Sequence, residues 1–388
     1  MEGLLTITNN SPSKPPFANI YWFPLAALYA ALALPLSVGG QLRWFSAPAG
    51  LQHAWGHGHE MIFGFVLAVI AGYIAGPQPK RQAFKMIGLW LVARMSFWLA
   101  PTSIFTALLN ITFAGILAWK LAPIFLRRAT KWRNKSVGLV LIGLAIAAIG
   151  FHSILQNFGP AILSLKFLTA AVLLLSTLMF FMGGRIIAPA LAGHFKQHNR
   201  FLKDRVQPRI EGSILALLCL ILTLNFIPFS WAAKLMAGLL FFTALLCCIR
   251  MLRWRPWWCY NRMDLLSMLL GYSWIIVGWV YMGLSLIQPN ISITHALHAI
   301  TVGAIGTLTL TVMARSRSHR VLRTPNAKPF IYTLSLLISI ATLLRLNLVS
   351  LGYSHSLVLA AACWSTAFIG LFIWLLWLAK VENRKLRG

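Results

Sequence analysis

Twelve apolar runs, separated by short connections, constrain this chain more than any other feature. They lie near 20–38, 59–76, 86–101, 103–121, 137–155, 161–184, 211–227, 231–250, 265–287, 297–314, 330–347 and 356–379. A bilayer core takes about 20 apolar residues per spanning helix. Twelve spans therefore use roughly 240 residues, and the rest of the 388 is too little for a soluble domain of any size. The chain is 59% hydrophobic and 10% charged, against about 45–50% and about 25% for soluble domains. A cytosolic globular enzyme, a secreted disulfide scaffold and a disordered tail are all excluded. The expected fold is an all-α polytopic membrane protein with about 12 transmembrane helices. Residues 1–19 form a cytoplasmic N-terminal segment, 20–379 a single transmembrane domain and 380–388 a cytoplasmic basic tail. The first run, Ile20 to Val38, is too long for a signal-peptide core and reads as an uncleaved helix.

The net charge of +28, from 34 Lys and Arg against 6 Asp and Glu, would suggest nucleic acid in a soluble protein. Its distribution points to a membrane surface instead. Lys and Arg cluster after the second, fourth, sixth, eighth, tenth and twelfth runs, whereas the intervening loops hold only Arg43. Basic residues collect on the cytoplasmic side, so both termini are expected there, with lipid rather than nucleic acid as the partner. No internal repeat is evident in the sequence, so the inverted-repeat signature of many transporters is missing.

This topology sorts the ten histidines. His194, His198 and His319 fall in basic loops. His53, His57, His59, His152, His295, His298 and His355 fall at the opposite level, on four stretches of chain. Imidazole is the commonest metal ligand, so this level is where a metal or cofactor is expected. The densest stretch is His53-Ala54-Trp55-Gly56-His57-Gly58-His59-Glu60-Met61. On a helix, His57 and His59 would point about 200° apart. Gly56 and Gly58 favour an irregular entry in which both rings turn inward, with helical spacing starting near His59. The candidate metal ligands are His53, His57, His59, His152, His298 and the thioether of Met61.

Glu60 is, with Glu2, one of only two acids in the first 200 positions. An ionisable group at the edge of hydrocarbon is a functional candidate by default, here as a proton relay or as the acceptor that orients an imidazole. Arg94, inside the third run, demands a carboxylate, a carbonyl or an anionic cofactor group. Arg345, Lys166 and Arg43 lie near the histidine level, where snorkelling is the plainer reading. Small residues at 64–75 and 303–307 allow close helix packing or admit a flat macrocycle. Met182-Gly183-Gly184-Arg185 reads as a turn at the inner end of the sixth helix, either holding a backbone carbonyl pair or a polar ligand group or serving as an ordinary helix end with a positive-inside arginine. None of the five cysteines makes a CxxCH motif, which excludes covalent haem attachment.

These residues resemble the NnrS family, polytopic membrane proteins containing haem and copper and associated with nitric oxide. Trp55-Gly56-His57-Gly58-His59-Glu60-Met61-Ile62-Phe63-Gly64-Phe65 is similar to the family's WHxHEMLFGF. Gly183-Gly184-Arg185-Ile186-Ile187 is similar to its GGRVIP. Leu252-Arg253-Trp254-Arg255-Pro256, Leu270-Gly271-Tyr272 and Leu297-His298-Ala299-Ile300-Thr301-Val302-Gly303-Ala304-Ile305-Gly306-Thr307 follow in the family's order. The chain departs from the family where Gly76-Pro77-Gln78-Pro79 replaces PNWTG and where Leu269 replaces a frequent histidine. It also departs in the loop after Arg315, which lacks the family's glycines.

The resemblance implies haem b, with copper as a second cofactor, in a bacterial inner-membrane protein that meets nitric oxide or a related small ligand. His298 or His152 is then the expected axial ligand, Arg94 and Arg345 are partners for propionates, and Glu60 is the catalytic candidate. If there is turnover, it is haem-dependent oxidoreduction of nitric oxide; the electron donor is not specified. A metal or small-ligand transporter and a non-catalytic haem gas sensor are the competing classes. A transport path predicts histidines at several depths, whereas seven of the ten share one level.

Overall fold

A computed structural model describes residues 15–323, 329–348 and 351–387. Most of the expected N-terminal segment and Lys328 lie outside the described residues. Helices account for nearly all of what is described, and no β-strand occurs there; Phe17 and Pro77 make one isolated antiparallel bridge. In chain order the helices are α1 (Asn19–Gln41), α2 (Ala54–Ile74), α3 (Lys80–Leu99), α4 (Ile104–Arg128), α5 (Trp132–Leu155) and α6 (Ile162–Gln197). They continue as α7 (Pro208–Leu224), α8 (Ser230–Arg253), α9 (Met263–Ile287), α10 (Ile293–Leu322), α11 (Pro329–Arg345) and α12 (Tyr353–Arg387).

Each apolar run has become a helix. Among the described residues, nine of these helices are long and apolar enough to cross a membrane. The other three are α3, which opens on Lys80, Arg81 and Lys85, and the 17-residue α7 and α11. At 1.5 Å per residue, 17 residues reach about 26 Å, at the short end of a span.

Several helices run past the apolar stretch that predicts them. α6 does not turn at Met182–Arg185 but continues to Gln197 through Pro189. The expected basic tail is likewise helical, as the last turns of α12, where Glu382 pairs with Arg317 at 2.6 Å and Lys385 Nζ donates to the Val321 carbonyl at 2.9 Å. The reason is the same in both places. A helix satisfies its own backbone wherever it lies, so it need not stop where hydrophobicity does.

The stretch before α1 packs on the α2–α3 connection: Ala18 N donates to Gly76 O at 2.9 Å and Gln78 N to Pro16 O at 3.0 Å. Arg320 lies over the Phe17 ring. These contacts define a basic end of the bundle, opposite a histidine end. At the basic end Gly183 and Gly184 have a specific use. A Cβ on Gly183 would strike the Tyr272 ring, and one on Gly184 would strike the Arg250 guanidinium. Arg250 is thereby buried between helices. It donates to Phe180 O at 3.1 Å, Tyr272 Oη at 2.8 Å and Glu211 Oε1 at 2.9 Å, and lies over the rings of Phe180 and Trp254.

The centre of the bundle is held by α2 and α10. They are 72% and 78% buried over their apolar windows, while no other candidate span exceeds 61%. The same two helices share a second property. Each opens with six residues of α-helix, Ala54–His59 and Ile293–His298, and then widens to π-helical bonding over Glu60–Val66 and Ala299–Gly306. π segments are rare and concentrate at functional sites.

Candidate functional site

A cavity of about 470 Å³ opens at the histidine end between α1, α2, α6, α10, α11 and α12. That volume lies in the range of small-molecule and cofactor sites, roughly 300–1,000 Å³. The two central helices line it in the same pattern. α2 contributes positions 54, 55, 57, 58, 61 and 62, and α10 contributes 294, 295, 297, 298, 301 and 302, a constant offset of 240 residues. Within this shared frame His57 and His298 sit one position apart, and both line the cavity.

Most of the remaining wall is apolar, and its polar groups are few. Met61, one turn beyond His57, faces the cavity, as do His295 and Arg345. His298 Nδ1 lies 2.6 Å from the Thr294 carbonyl. A ring bonded to a carbonyl through Nδ1–H carries its lone pair on Nε2. His57 Nδ1, by contrast, is buried with no hydrogen-bond partner. No carboxylate pairs with Arg345 among the described residues.

His59 lies elsewhere. The expectation that Gly56 and Gly58 break the helix, letting His57 and His59 converge, is overturned. The chain is helical from Ala54, with His53 in an extended conformation just before it. Gly56 serves close approach instead, because a Cβ there would run into the Gly50 carbonyl oxygen. Two residues apart on a helix, the rings diverge, and His59 packs away from the cavity. It stacks on Phe97 with centroids 3.8 Å apart, and its Nε2 meets His152 Nε2 at 3.0 Å.

His59 belongs to a buried polar network centred on Glu60. The Glu60 carboxylate receives His59 Nδ1 at 2.8 Å and Arg94 Nη1 at 2.5 Å on Oε1, and Tyr29 Oη and Trp98 Nε1 on Oε2. Arg94 also donates to Asn110 Oδ1, and Asn110 Nδ2 donates to Thr106 O at 2.9 Å. Four donors on two oxygens fit an ionised, acceptor-only carboxylate. The hydrogen-bond logic then propagates. His59 carries its proton on Nδ1, so its Nε2 accepts from His152 Nε2–H. His152 Nδ1 is left bare, buried and without a partner.

The seven histidines at one level therefore divide. His57, His295 and His298 line the cavity, and His59 and His152 join the Glu60 network. His53 stacks on Trp55 at 5.4 Å and His355 is exposed, both away from either group. Arg94 and Glu60 do not line the cavity; the acceptor that the depth of Arg94 demands is Glu60 itself. Nor do the small residues of α10 admit a flat group: Gly303 packs on Trp274 and Gly306 on Trp364. Among the described residues no three His, Cys, Asp or Glu side chains are grouped as a metal site.

Comparison with known proteins decides the family. The NnrS profile, described as NnrS protein, matches residues 21–384. The chain belongs to the NnrS family. No curated protein and no solved structure showed a match. In this NnrS protein the HxHEM stretch serves two places at once: His57 and Met61 face the cavity, whereas His59 and Glu60 hold the network. Leu269, where the family often has a histidine, is packed in the apolar core. The sequence reading missed Tyr29, Trp98 and Asn110. The signal available for them was polarity inside apolar runs, strongest for Asn110 near the start of α4. His295 stood in the histidine group but was not singled out, because its relation to His298 depends on how α10 meets the cavity.

Proposed function

We propose that this NnrS protein binds haem b in the cavity between α2 and α10 and acts on nitric oxide or a related nitrogen oxide at the bacterial inner membrane. The observation that carries the reading is the matched lining of α2 and α10, which brings His57 from one helix and His295 and His298 from the other into one largely apolar cavity. All twelve helices span the membrane on this reading, with both termini cytoplasmic and the histidine end periplasmic. The loop charges and the packing of residues 16–18 on 76–78 support that topology.

The residues present fit the group. His298, with Nδ1 anchored on the Thr294 carbonyl, would hold the iron through Nε2, in the way an outer hydrogen bond orients a metal-bound histidine. His57 has no such anchor and would be the freer of the two imidazoles facing the group. Arg345 supplies a cation for a propionate. Haem, when bound, supplies iron able to coordinate nitric oxide. The apolar wall excludes water and favours a small uncharged ligand.

Copper takes second place. His59 and His152 offer two imidazole nitrogens 3.0 Å apart, close to the roughly 3.3 Å that two nitrogens on one tetrahedral metal span. As placed, the pair is closed by a hydrogen bond, so no step is routed through copper. Glu60 is assigned a positioning role, orienting His59 and fixing its tautomer.

The test is an optical spectrum and metal analysis of the purified protein. A Soret band is expected in the wild type and its loss in His298→Ala, while His57→Ala retains haem but changes the ligation spectrum. Unchanged haem content and spectrum in His298→Ala would overturn the assignment.

A further inference from the structure

A second cavity, of about 310 Å³, lies at the histidine end between α6, α7, α8, α9 and the start of α10. Leu165 lines both cavities, and Ile293 of the second is followed by Thr294 of the first. Its wall is mainly apolar, through residues such as Leu224, Ile227, Met236 and Leu286, with three polar groups that stand out. Lys166 makes no hydrogen bond or ion pair through its ammonium among the described residues. Thr169, three residues on along α6, is 4% exposed and its hydroxyl has no hydrogen-bond partner among them. Asn225, also 4% exposed, donates through its side chain to the Lys166 carbonyl at 3.0 Å, while its backbone N–H caps α7 on the Ile221 carbonyl.

Snorkelling accounts for the level of this lysine but gives its ammonium no protein partner among the described residues. Lys166 stands at the end of the bundle where basic residues are scarce, near the start of a helix, where the macrodipole disfavours a cation. The Thr169 hydroxyl, on a residue 4% exposed, keeps its hydrogen-bonding capacity open toward the cavity it lines. An ammonium and a hydroxyl on one helix face, at the mouth of an apolar cavity, complement a negatively charged oxygen head joined to a hydrocarbon chain. Around a membrane helix bundle, the abundant molecule of that chemistry is an acidic phospholipid.

We propose that this cavity binds an acidic phospholipid, with its phosphate on Lys166 and Thr169 and one acyl chain among the apolar residues. Because Leu165 separates the two cavities, the chain backs the wall of the histidine cavity. The site does not depend on what that cavity holds.

The test uses the full chain in nanodiscs of phosphatidylcholine containing increasing phosphatidylglycerol, followed by native mass spectrometry of retained lipid. Wild type should retain one phosphatidylglycerol that Lys166→Gln holds about tenfold less well, the weight of one charge-assisted hydrogen bond. Thr169→Val should weaken retention in the same direction, and Lys166→Arg should preserve it. Thermal melting checks that each variant folds, and Thr169→Val decides the matter if Lys166→Gln does not. Equal retention by wild type and both loss variants would overturn the proposal. So would equal retention of phosphatidylcholine, or displacement of the phospholipid by equimolar oleate or a quinone.

Discussion

His59 and His152 face one another through their Nε2 atoms at 3.0 Å, with their ring planes nearly perpendicular, at 84°. One of the two must donate, and the Glu60 carboxylate on the far side of His59 selects His152. The pair is thus a fixed hydrogen bond with one direction, set by an acid that touches only one of its members.

Glu60→Gln should be strongly destabilising. It leaves the Arg94 guanidinium, 2% exposed, without its counter-charge, and breaking a buried ion pair from one side costs about 3–5 kcal/mol. Thermal unfolding in detergent should show a large drop in Tm. The double variant Glu60→Gln, Arg94→Met should recover much of it, because the uncompensated charge is then gone.

His57→Ala and Thr294→Pro probe the two sides of the cavity. Losing His57 should open a coordination position and speed ligand binding without loss of haem, read by rapid-mixing absorbance. Thr294→Pro, early in α10, keeps the carbonyl that holds His298 and should leave the spectrum unchanged, whereas His298→Ala removes the Soret band. If His57→Ala loses haem as completely as His298→Ala, both rings are fixed ligands and the asymmetry is wrong.

The topology is open to cysteine labelling. A cysteine at Gln52 should react with a membrane-impermeant maleimide in intact cells, and one at Lys203 only after the membrane is permeabilised. The reverse pattern would invert the bundle.

Gly183→Ala should destabilise by about 1–3 kcal/mol through overpacking, since the new methyl meets the Tyr272 ring. Lowered Tm with retained haem would mark the glycine as structural, separating the basic-end cluster from the cavity.

The helices were legible because hydrophobicity and positive-inside charge are summed over many residues, so single errors average out. The ends of α6 and α12 were not, because a helix continues into polar sequence at no cost to its backbone. The level of the histidines was legible from loop charge. Their division into two groups was not, because it depends on whether two glycines start a helix or delay it. Gly56 carries the same letter in either case; what decides is the Gly50 carbonyl pressing against it, a contact made by chain that carries no motif. The α2 and α10 correspondence leaves no repeat in the sequence because the residue types differ, His57 matching Leu297 and Gly58 matching His298, while the spacing toward the cavity is identical.

The length of α6 has a consequence. Its 36 residues make a rod of about 54 Å, nearly twice the hydrocarbon thickness of about 30 Å. One end carries Leu165 and Leu168 on the cavity wall, and the middle is gripped where Arg250 and Tyr272 seat against the two adjacent glycines. The helix therefore carries residues of both cavity walls and residues of the basic end, His194 among them, on one continuous backbone, so the two ends of the bundle share a single element.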